Sequence, residues 1–326
     1  MGTDNFAYGT QRTFPLTGVG LLAGLRTPFG TIIPPGARVV YVRSTGYQDG
    51  DPIDLAGRTV PTLAAGLLEC RSGLGDFVIV LPGHSESVTD ATMLTNLVAA
   101  TRIIGIGAGA MMPVFRWTAA AAQWLISVND VVITGLRLRL EGFNGVTKAI
   151  AVTGNDVSIV GNDIETGSGA SNKATIAVEV GTGAAGGTRF NFCTNRVRGT
   201  AAGASTNILL VSNAADGINI CDNDMIAAAT TTNGLINVQS AATSILIKRN
   251  TIENTVASSV AGINFANVAV DGSCEDNKIT VKNATTITQG TTGITVGGTN
   301  NLVGFFNNFT TNSVNASGLL TPAVDT

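Results

Sequence analysis

A short motif, Asn-x-[apolar], recurs six times in the second half of this chain. It reads Asn162-Asp163-Ile164, Asn195-Arg196-Val197, Asn223-Asp224-Met225, Asn250-Thr251-Ile252, Asn277-Lys278-Ile279 and Asn307-Asn308-Phe309. Successive Asn positions lie 33, 28, 27, 27 and 30 residues apart. A period of that size marks a stack of repeated units. Aligned on the Asn, the flanks alternate. Three residues before it stand Ile159, Phe192, Ile220, Ile247 and Cys274, and five before it Val157, Phe190, Ile218, Ile245, Gly272 and Leu302. Period-two alternation is the mark of a strand with one buried face.

An upstream strand precedes each anchor, read as the apolar pairs Ile150/Val152, Ile176/Val178, Ile208/Leu210, Ile236/Val238, Ile263/Phe265 and Ile294/Val296. Each unit thus holds at least two strands and shows no helical period. Parallel strands need a crossover, and here the crossover must itself be strand and turn. The expected fold is all-β: a parallel β-helix, right-handed by the crossover preference. Equivalent residues of neighbouring coils then lie about 4.8 Å apart, so Asn162, Asn195, Asn223, Asn250, Asn277 and Asn307 are expected to form an amide ladder. Asn also tolerates the left-handed backbone that such a turn requires.

The pattern continues upstream less regularly. Val131–Leu138 matches Val157–Ile164 with Leu136 in the anchor position, Arg102–Ile106 reads as an earlier coil, and Asp76–Pro82 as the first strand. Before these, Pro61–Cys70 reads as a short helix with Gly73 just past its end, placed to cap the open end of the solenoid. Residues 1–58 do not fit the repeat. They are expected to form an extended arm that docks through Phe6, Tyr8, Phe14, Phe29 and Tyr41, the alternative being a strand-and-loop cap folded back on the solenoid. The expected organisation is therefore 1–58 docking segment, 59–315 β-helix and 316–326 tail.

Composition narrows the function. Only 13% of residues are charged and the net charge is −3, which argues against nucleic acid as a partner. No apolar run reaches membrane-spanning length, and Met1–Asn5 lacks the features of a secretory signal. The four cysteines have no CxxC spacing, so they are read as buried or half-buried thiols of a protein made in a reducing compartment. A single histidine, His84, excludes His-rich metal sites, and its setting in Pro82-Gly83-His84 reads as a turn. Gly105-Ile106-Gly107-Ala108-Gly109 lacks the dinucleotide-loop context and reads as a corner. No metal or cofactor is expected.

The carboxylates Asp222, Asp224, Glu275 and Asp276 could in principle form the acid pair of a glycosidase. Their columns point elsewhere. One before the anchor stand Asp222, Arg249 and Asp276 on successive coils; one after it Asp163, Arg196 and Asp224; three after it Glu165 and Arg198. Opposite charges stacked on adjacent strands support pairing, so a charge ladder is expected. Only Trp117, Trp124 and three tyrosines could stack on sugars.

The repeats from Leu125 to Phe309 resemble the pectate-lyase-like right-handed β-helix superfamily. The segment Cys70-Arg71-Ser72-Gly73-Leu74-Gly75-Asp76-Phe77-Val78-Ile79-Val80-Leu81-Pro82-Gly83-His84-Ser85-Glu86-Ser87-Val88, followed by Ile103-Ile104-Gly105-Ile106-Gly107, resembles β-helical virion proteins of tailed bacteriophages, in which a "gDvvvvlpGhtE" strand leads to an "iiGlG" corner. The Asp-rich calcium cluster and partner Arg of the lyases are not present as a motif. The resemblance implies a non-enzymatic virion component, a capsid decoration or cement protein on the capsid exterior, assembled in the host cytoplasm. It would bind the major capsid protein or another virion protein and self-associate, a homotrimer being the common form among phage β-helices. The alternative is a short tailspike-type protein that binds or degrades glycans.

Overall fold

The computed structural model describes residues 34, 36–46, 58–140, 145–169, 172–181, 186–200, 202, 204–213, 215–229, 234–256, 261–266, 270–281, 294–296, 301–306, 309–312 and 321–322. The chain is a parallel β-solenoid with three faces. Sheet 1 contains 12 strands, sheet 2 contains 10 and sheet 3 contains 8 among the described residues. One coil shows the plan: Ser158–Val160 lies in sheet 1, Asp163–Glu165 in sheet 2 and Asn172–Val180 in sheet 3, before Asn191–Cys193 returns to sheet 1. Each coil stacks in parallel register on the next, as in Asn191↔Asn219 and Arg196↔Asp224.

The alternation around the anchor Asn is the core. Val157, Phe190, Ile218 and Ile245 stack above one another, as do Ile159, Phe192, Ile220, Ile247 and Cys274, and all are essentially inaccessible to solvent. The apolar residues two after the Asn join the same continuous core. Sequence spacing anticipated at least two strands per coil; the chain turns a corner at the Asn and makes three. The left-handed residue at that corner is not the Asn. It is the residue before it: Gly135, Gly161, Thr194, Asp222, Arg249 and Asp276 all have φ between 52° and 73°. A single αL residue bends sheet 1 into sheet 2 and aims the next side chain, the Asn, inward.

In sheet 3 the sequence reading needs correction in two coils. The core pairs there are Val178/Val180 and Leu209/Val211, in register with Ile150/Val152 and Ile236/Val238. Leu210 therefore faces away from the core, and Ile176 lies outside the predicted layer. Ile208–Val211 is an unbroken apolar run, so its own sequence carries no phase, and neighbouring strands set the register.

The leading end is built differently. Helix Leu63–Leu68 starts at Thr62, whose side chain accepts the Ala65 N–H, and buries Leu63, Gly66 and Leu67. Leu63 and Leu67 join the main core with Val42, Val78 and Val80, so the expected capping helix is present. A side chain on Gly66 would press on Val42 and Val78. Trp117, Trp124 and Phe115 fill the first coils, with ring centroids 5.1–5.2 Å apart. Both tryptophans are fully buried: Trp117 donates to the Ala149 carbonyl and Trp124 to the Met93 sulfur. Gly105 and Gly107 form a corner, where a Cβ would collide with the backbone of Gly135 and Met111 respectively.

Strand Val39–Val42 pairs with Phe77–Val80 on one side and Thr59–Val60 on the other. The sheet therefore reaches into the segment expected to be a separate arm. At the other end Thr321–Pro322, in the expected tail, pairs antiparallel with Phe309–Asn312. Among the described residues no helix is long and apolar enough to cross a membrane.

Candidate functional site

Five of the six anchor asparagines form a ladder, and Asn307 lies outside the described residues. The buried amides of Asn162, Asn195, Asn223 and Asn250 each bridge three coils. The Asn223 Nδ2 donates to the Phe192 carbonyl at 2.8 Å and to the Asn250 Oδ1 at 2.9 Å. Its Oδ1 accepts the Asn195 backbone N–H at 2.9 Å and the Asn195 Nδ2 at 3.2 Å. Asn162, Asn195 and Asn250 repeat the pattern. The ladder ends upstream at Leu136, whose backbone N–H donates to the Asn162 Oδ1 at 3.0 Å. An apolar side chain can terminate the column because only its backbone is needed. A buried amide with every bond made fixes register, whereas one left unpaired is costly.

The outer surface carries the charge columns. Asp222 binds Arg249 bidentately, at 2.7 and 2.8 Å, and that guanidinium holds its carboxyl below the usual range. Arg196 reaches Asp163 at 3.3 Å as the sequence suggests. Asp224, however, pairs with Arg198, and Glu165 pairs with Arg139 at 2.7 Å. The expected Arg196–Asp224 and Glu165–Arg198 contacts give way to these because long guanidinium arms reach diagonally across strands. A further column escaped the sequence reading. Asp130, Asp156, Arg189 and Ser244 occupy left-handed positions at the corner before sheet 1, and Arg189 grips Asp156 at 2.5 and 2.6 Å. Its signal was available: these residues also recur in step with the anchor.

The thiol reading is corrected for one pair. Cys193 and Cys221 form a disulfide across adjacent coils, with Cα atoms 4.6 Å apart. Both stand two residues before an anchor Asn and are register partners, so stacking alone brings them within bonding reach. Cys70 and Cys274 are buried thiols, and burial pushes each up to about 12. They are not nucleophiles at neutral pH.

The motif that carries the phage resemblance becomes a closing device for the leading end. Asp76 is fully buried. It accepts the backbone N–H of Arg38 at 2.6 Å and of Arg71 at 2.7 Å, together with the Arg71 guanidinium. Burial opposes its charge, but the Arg71 hydrogen bonds and the two N–H groups prevail and hold the carboxyl below the usual range. Gly83, at φ 75°, makes the turn. The buried His84 packs on Phe115, with ring centroids 5.3 Å apart, and its Nε2 lies 3.0 Å from the Glu86 Oε2. That same oxygen accepts the Leu63 N–H at 2.8 Å. His84 thus follows the turn, as expected, and its side chain holds Glu86, whose carboxylate ties sheet 2 to the capping helix, which no spacing rule reveals.

Of the residues expected to dock a partner, Phe6, Tyr8, Phe14 and Phe29 lie outside the described residues. Tyr41 is half-buried in strand Val39–Val42 and packs in a second apolar cluster on the outer face of sheet 1, with Phe77, Ile79, Ile104 and Ala37. A cleft of about 230 Å³ opens at the end of sheet 2, lined by Glu165, Gly167, Ser168, Arg198, Thr200 and Ile226. Its one cation, Arg198, is already engaged by Asp224 and by the Val197 and Asp224 carbonyls. No group of three or more potential metal ligands occurs among the described residues. Compared with known protein families, with curated proteins and with solved structures, the chain matches none of them.

Proposed function

We propose that this chain is a structural, non-enzymatic component of a tailed-phage virion, a decoration or cement protein on the capsid exterior. In this reading a rigid three-faced prism bridges neighbouring copies of the major capsid protein. Residues upstream of strand Val39–Val42 supply the docking arm, with Phe6, Tyr8, Phe14 and Phe29 as anchors. Assembly takes place in the host cytoplasm, as a homotrimer.

The observation that carries the proposal is the Gly75–Val88 segment. The motif read there resembles the entry strand of β-helical phage virion proteins, and its polar residues Asp76, His84 and Glu86 serve to close the solenoid end. A solenoid must cap its open end to remain a discrete particle, and a bridging protein has to be stiff. The carboxylates that glycan cleavage would need also have other partners: Asp222 is held by Arg249 and Asp224 by Arg198. Both tryptophans that could stack on sugar rings are inside the core.

The test uses particles stripped of the protein, to which either the full chain or the chain lacking residues 1–33 is added. The truncation stops short of Val39–Val42, so it spares the described sheet. The expected result is a shortened chain with unchanged far-ultraviolet circular dichroism and melting temperature that no longer binds particles. Undiminished binding would refute docking through the arm, and failure of the full chain to bind would refute the virion assignment.

A further inference from the structure

The bond between Cys193 and Cys221 joins strands that are already joined. Both residues end strands of sheet 1, Asn191–Cys193 and Asn219–Cys221, and face outward, while the preceding Phe192 and Ile220 point into the core. The strands hold together without sulfur. The Thr194 N–H donates to the Cys221 carbonyl at 2.9 Å, and the Asn219 N–H to the Phe190 carbonyl at 2.8 Å. Two residues before the cysteines, the Asn219 Nδ2 donates to the Asn191 Oδ1 at 3.2 Å. Two residues after them, the Asn195 Nδ2 donates to the Asn223 Oδ1 at 3.2 Å. Register therefore sets the Cα separation of 4.6 Å, which lies within the range a disulfide spans. One backbone accommodates the dithiol and the disulfide alike, so neither oxidation nor reduction requires unfolding.

The two thiols are not equivalent. In the outward column Val160, Cys193, Cys221 and Lys248 are successive register partners, on strands about 4.8 Å apart. Cys221 thus stands between Cys193 and Lys248, with Glu275 one strand further on. The neighbouring Asp222 carboxylate is bound by Arg249. A cation beside a cysteine favours the thiolate, its nucleophilic form. The Cys193 sulfur instead lies 3.8 Å from the Asn219 carbonyl oxygen, an acceptor that favours the thiol. The other cysteines lack this setting: Cys274 is fully buried, and the Asp76 and Glu69 carboxylates oppose ionisation of Cys70. We propose that Cys193 and Cys221 form a reversible dithiol–disulfide site that exchanges, in the folded chain, with small disulfides and thiols of the glutathione class, Cys221 being the attacking thiolate and Cys193 the resolving thiol. The Cys221 thiolate attacks one sulfur of the small disulfide, whose S–S bond breaks and releases one thiolate. Cys193 then loses its proton to water and attacks the Cys221 sulfur, expelling the second thiolate. In all, the protein dithiol gives up two electrons and two protons, and the small disulfide becomes two thiols. The site is open in a reducing compartment and closed in an oxidising one, where it ties two coils covalently without altering their stacking. This chemistry needs only the folded chain, so it stands apart from the virion reading.

The experiment equilibrates the full chain in graded ratios of reduced and oxidised glutathione, quenches with N-ethylmaleimide, and reads each cysteine by peptide mass spectrometry alongside circular dichroism. The expected result is a reversible transition confined to Cys193 and Cys221, with an unchanged far-ultraviolet spectrum throughout. With oxidised glutathione, Cys193→Ala accumulates a mixed disulfide at Cys221, whereas Cys221→Ala accumulates about tenfold less at Cys193. Lys248→Gln slows oxidation of the native pair about threefold, and Lys278→Gln, on sheet 2, leaves its rate unchanged. A bond that is reduced only when the chain unfolds, a folded dithiol that oxidised glutathione leaves intact, or equal trapping at the two cysteines would each overturn the proposal. The titration uses the unaltered chain, so it decides the matter even where a variant fails to fold.

Discussion

The two ends of this solenoid are held by opposite strategies. From Asn162 to Asn277 one amide per coil, repeated in register, satisfies itself against its neighbours above and below. Among the described residues from Ala37 to Leu136 no column of amides runs through the core. Instead a buried Asp76 gathers Arg38 and Arg71, a His84–Glu86 pair clasps the capping helix, and three large aromatic rings fill the interior. Repetition propagates a structure but cannot end it, because a repeat always presents another copy of its own edge. Ending it takes side chains that bond to unique partners.

This contrast makes local predictions, since neighbouring coils couple mainly to one another. Asp76→Ala removes a buried carboxylate that accepts four hydrogen bonds and leaves Arg71 without its partner. It is expected to cost about 3–5 kcal/mol. Hydrogen exchange should accelerate in the strands at 39–42, 77–80 and 102–105 and stay slow around Ile220 and Ile252. Uniform acceleration along the chain would erase the distinction between the two ends.

Asn223→Ala is the reciprocal experiment. It strips one acceptor from two donors of Asn195 and leaves the Phe192 carbonyl and the Asn250 amide short of a donor. With about 1–3 kcal/mol for each buried group left unsatisfied, a loss of about 2–4 kcal/mol is expected, with faster exchange confined to the neighbouring coils. Asn162→Leu, which moves the Leu136 terminus down by one coil, should cost clearly less in chemical denaturation. Equal costs would mean that the ladder is not a column of linked amides.

Reduction of Cys193–Cys221 opens a loop of 28 residues, for which chain entropy gives about 3–4 kcal/mol. A drop in melting temperature on adding reductant, absent in a Cys193→Ser/Cys221→Ser variant, is the expected outcome. Cys70 and Cys274 should stay unlabelled by iodoacetamide until the chain unfolds, because burial holds both thiols protonated.

The smallest effect concerns pH. Asp76 has a folded-state pKa below its unfolded value, so its contribution is complete above the ordinary carboxylate range. It is lost as pH falls through the depressed folded-state value. Wild type and Asp76→Asn should therefore differ most in melting temperature near neutrality and converge as pH falls below the ordinary carboxylate range. A gap that widens on acidification would reverse the sign of this account.

The regular half was legible because stacking converts a sequence period directly into contact. The anchor asparagines, the core columns around them, the Leu136 substitution and the Asp222–Arg249 pair all follow from alignment on one residue. The Cys193–Cys221 bridge lies in that same alignment, two residues before the anchor on adjacent coils, where CxxC-type motif spacing does not reveal it. The phase of Ile208–Val211 was not legible, since a run without alternation has no inward face until its neighbours supply one. Nor were the diagonal Arg198–Asp224 and Arg139–Glu165 pairings, which depend on side-chain reach. At the leading end the sequence indicated a helix and a turn, but not that Asp76 and Glu86 join them to the sheets. Those bonds link residues of unrelated spacing.

The most direct test of the functional account is the copy number of this chain in purified particles from its source, by quantitative mass spectrometry against the major capsid protein. A decoration or cement role predicts hundreds of copies per particle, in fixed ratio to the capsid protein. A few to a few dozen copies would place the chain on a tail or vertex appendage and contradict the capsid-wide role, and its absence from particles would contradict the virion reading altogether.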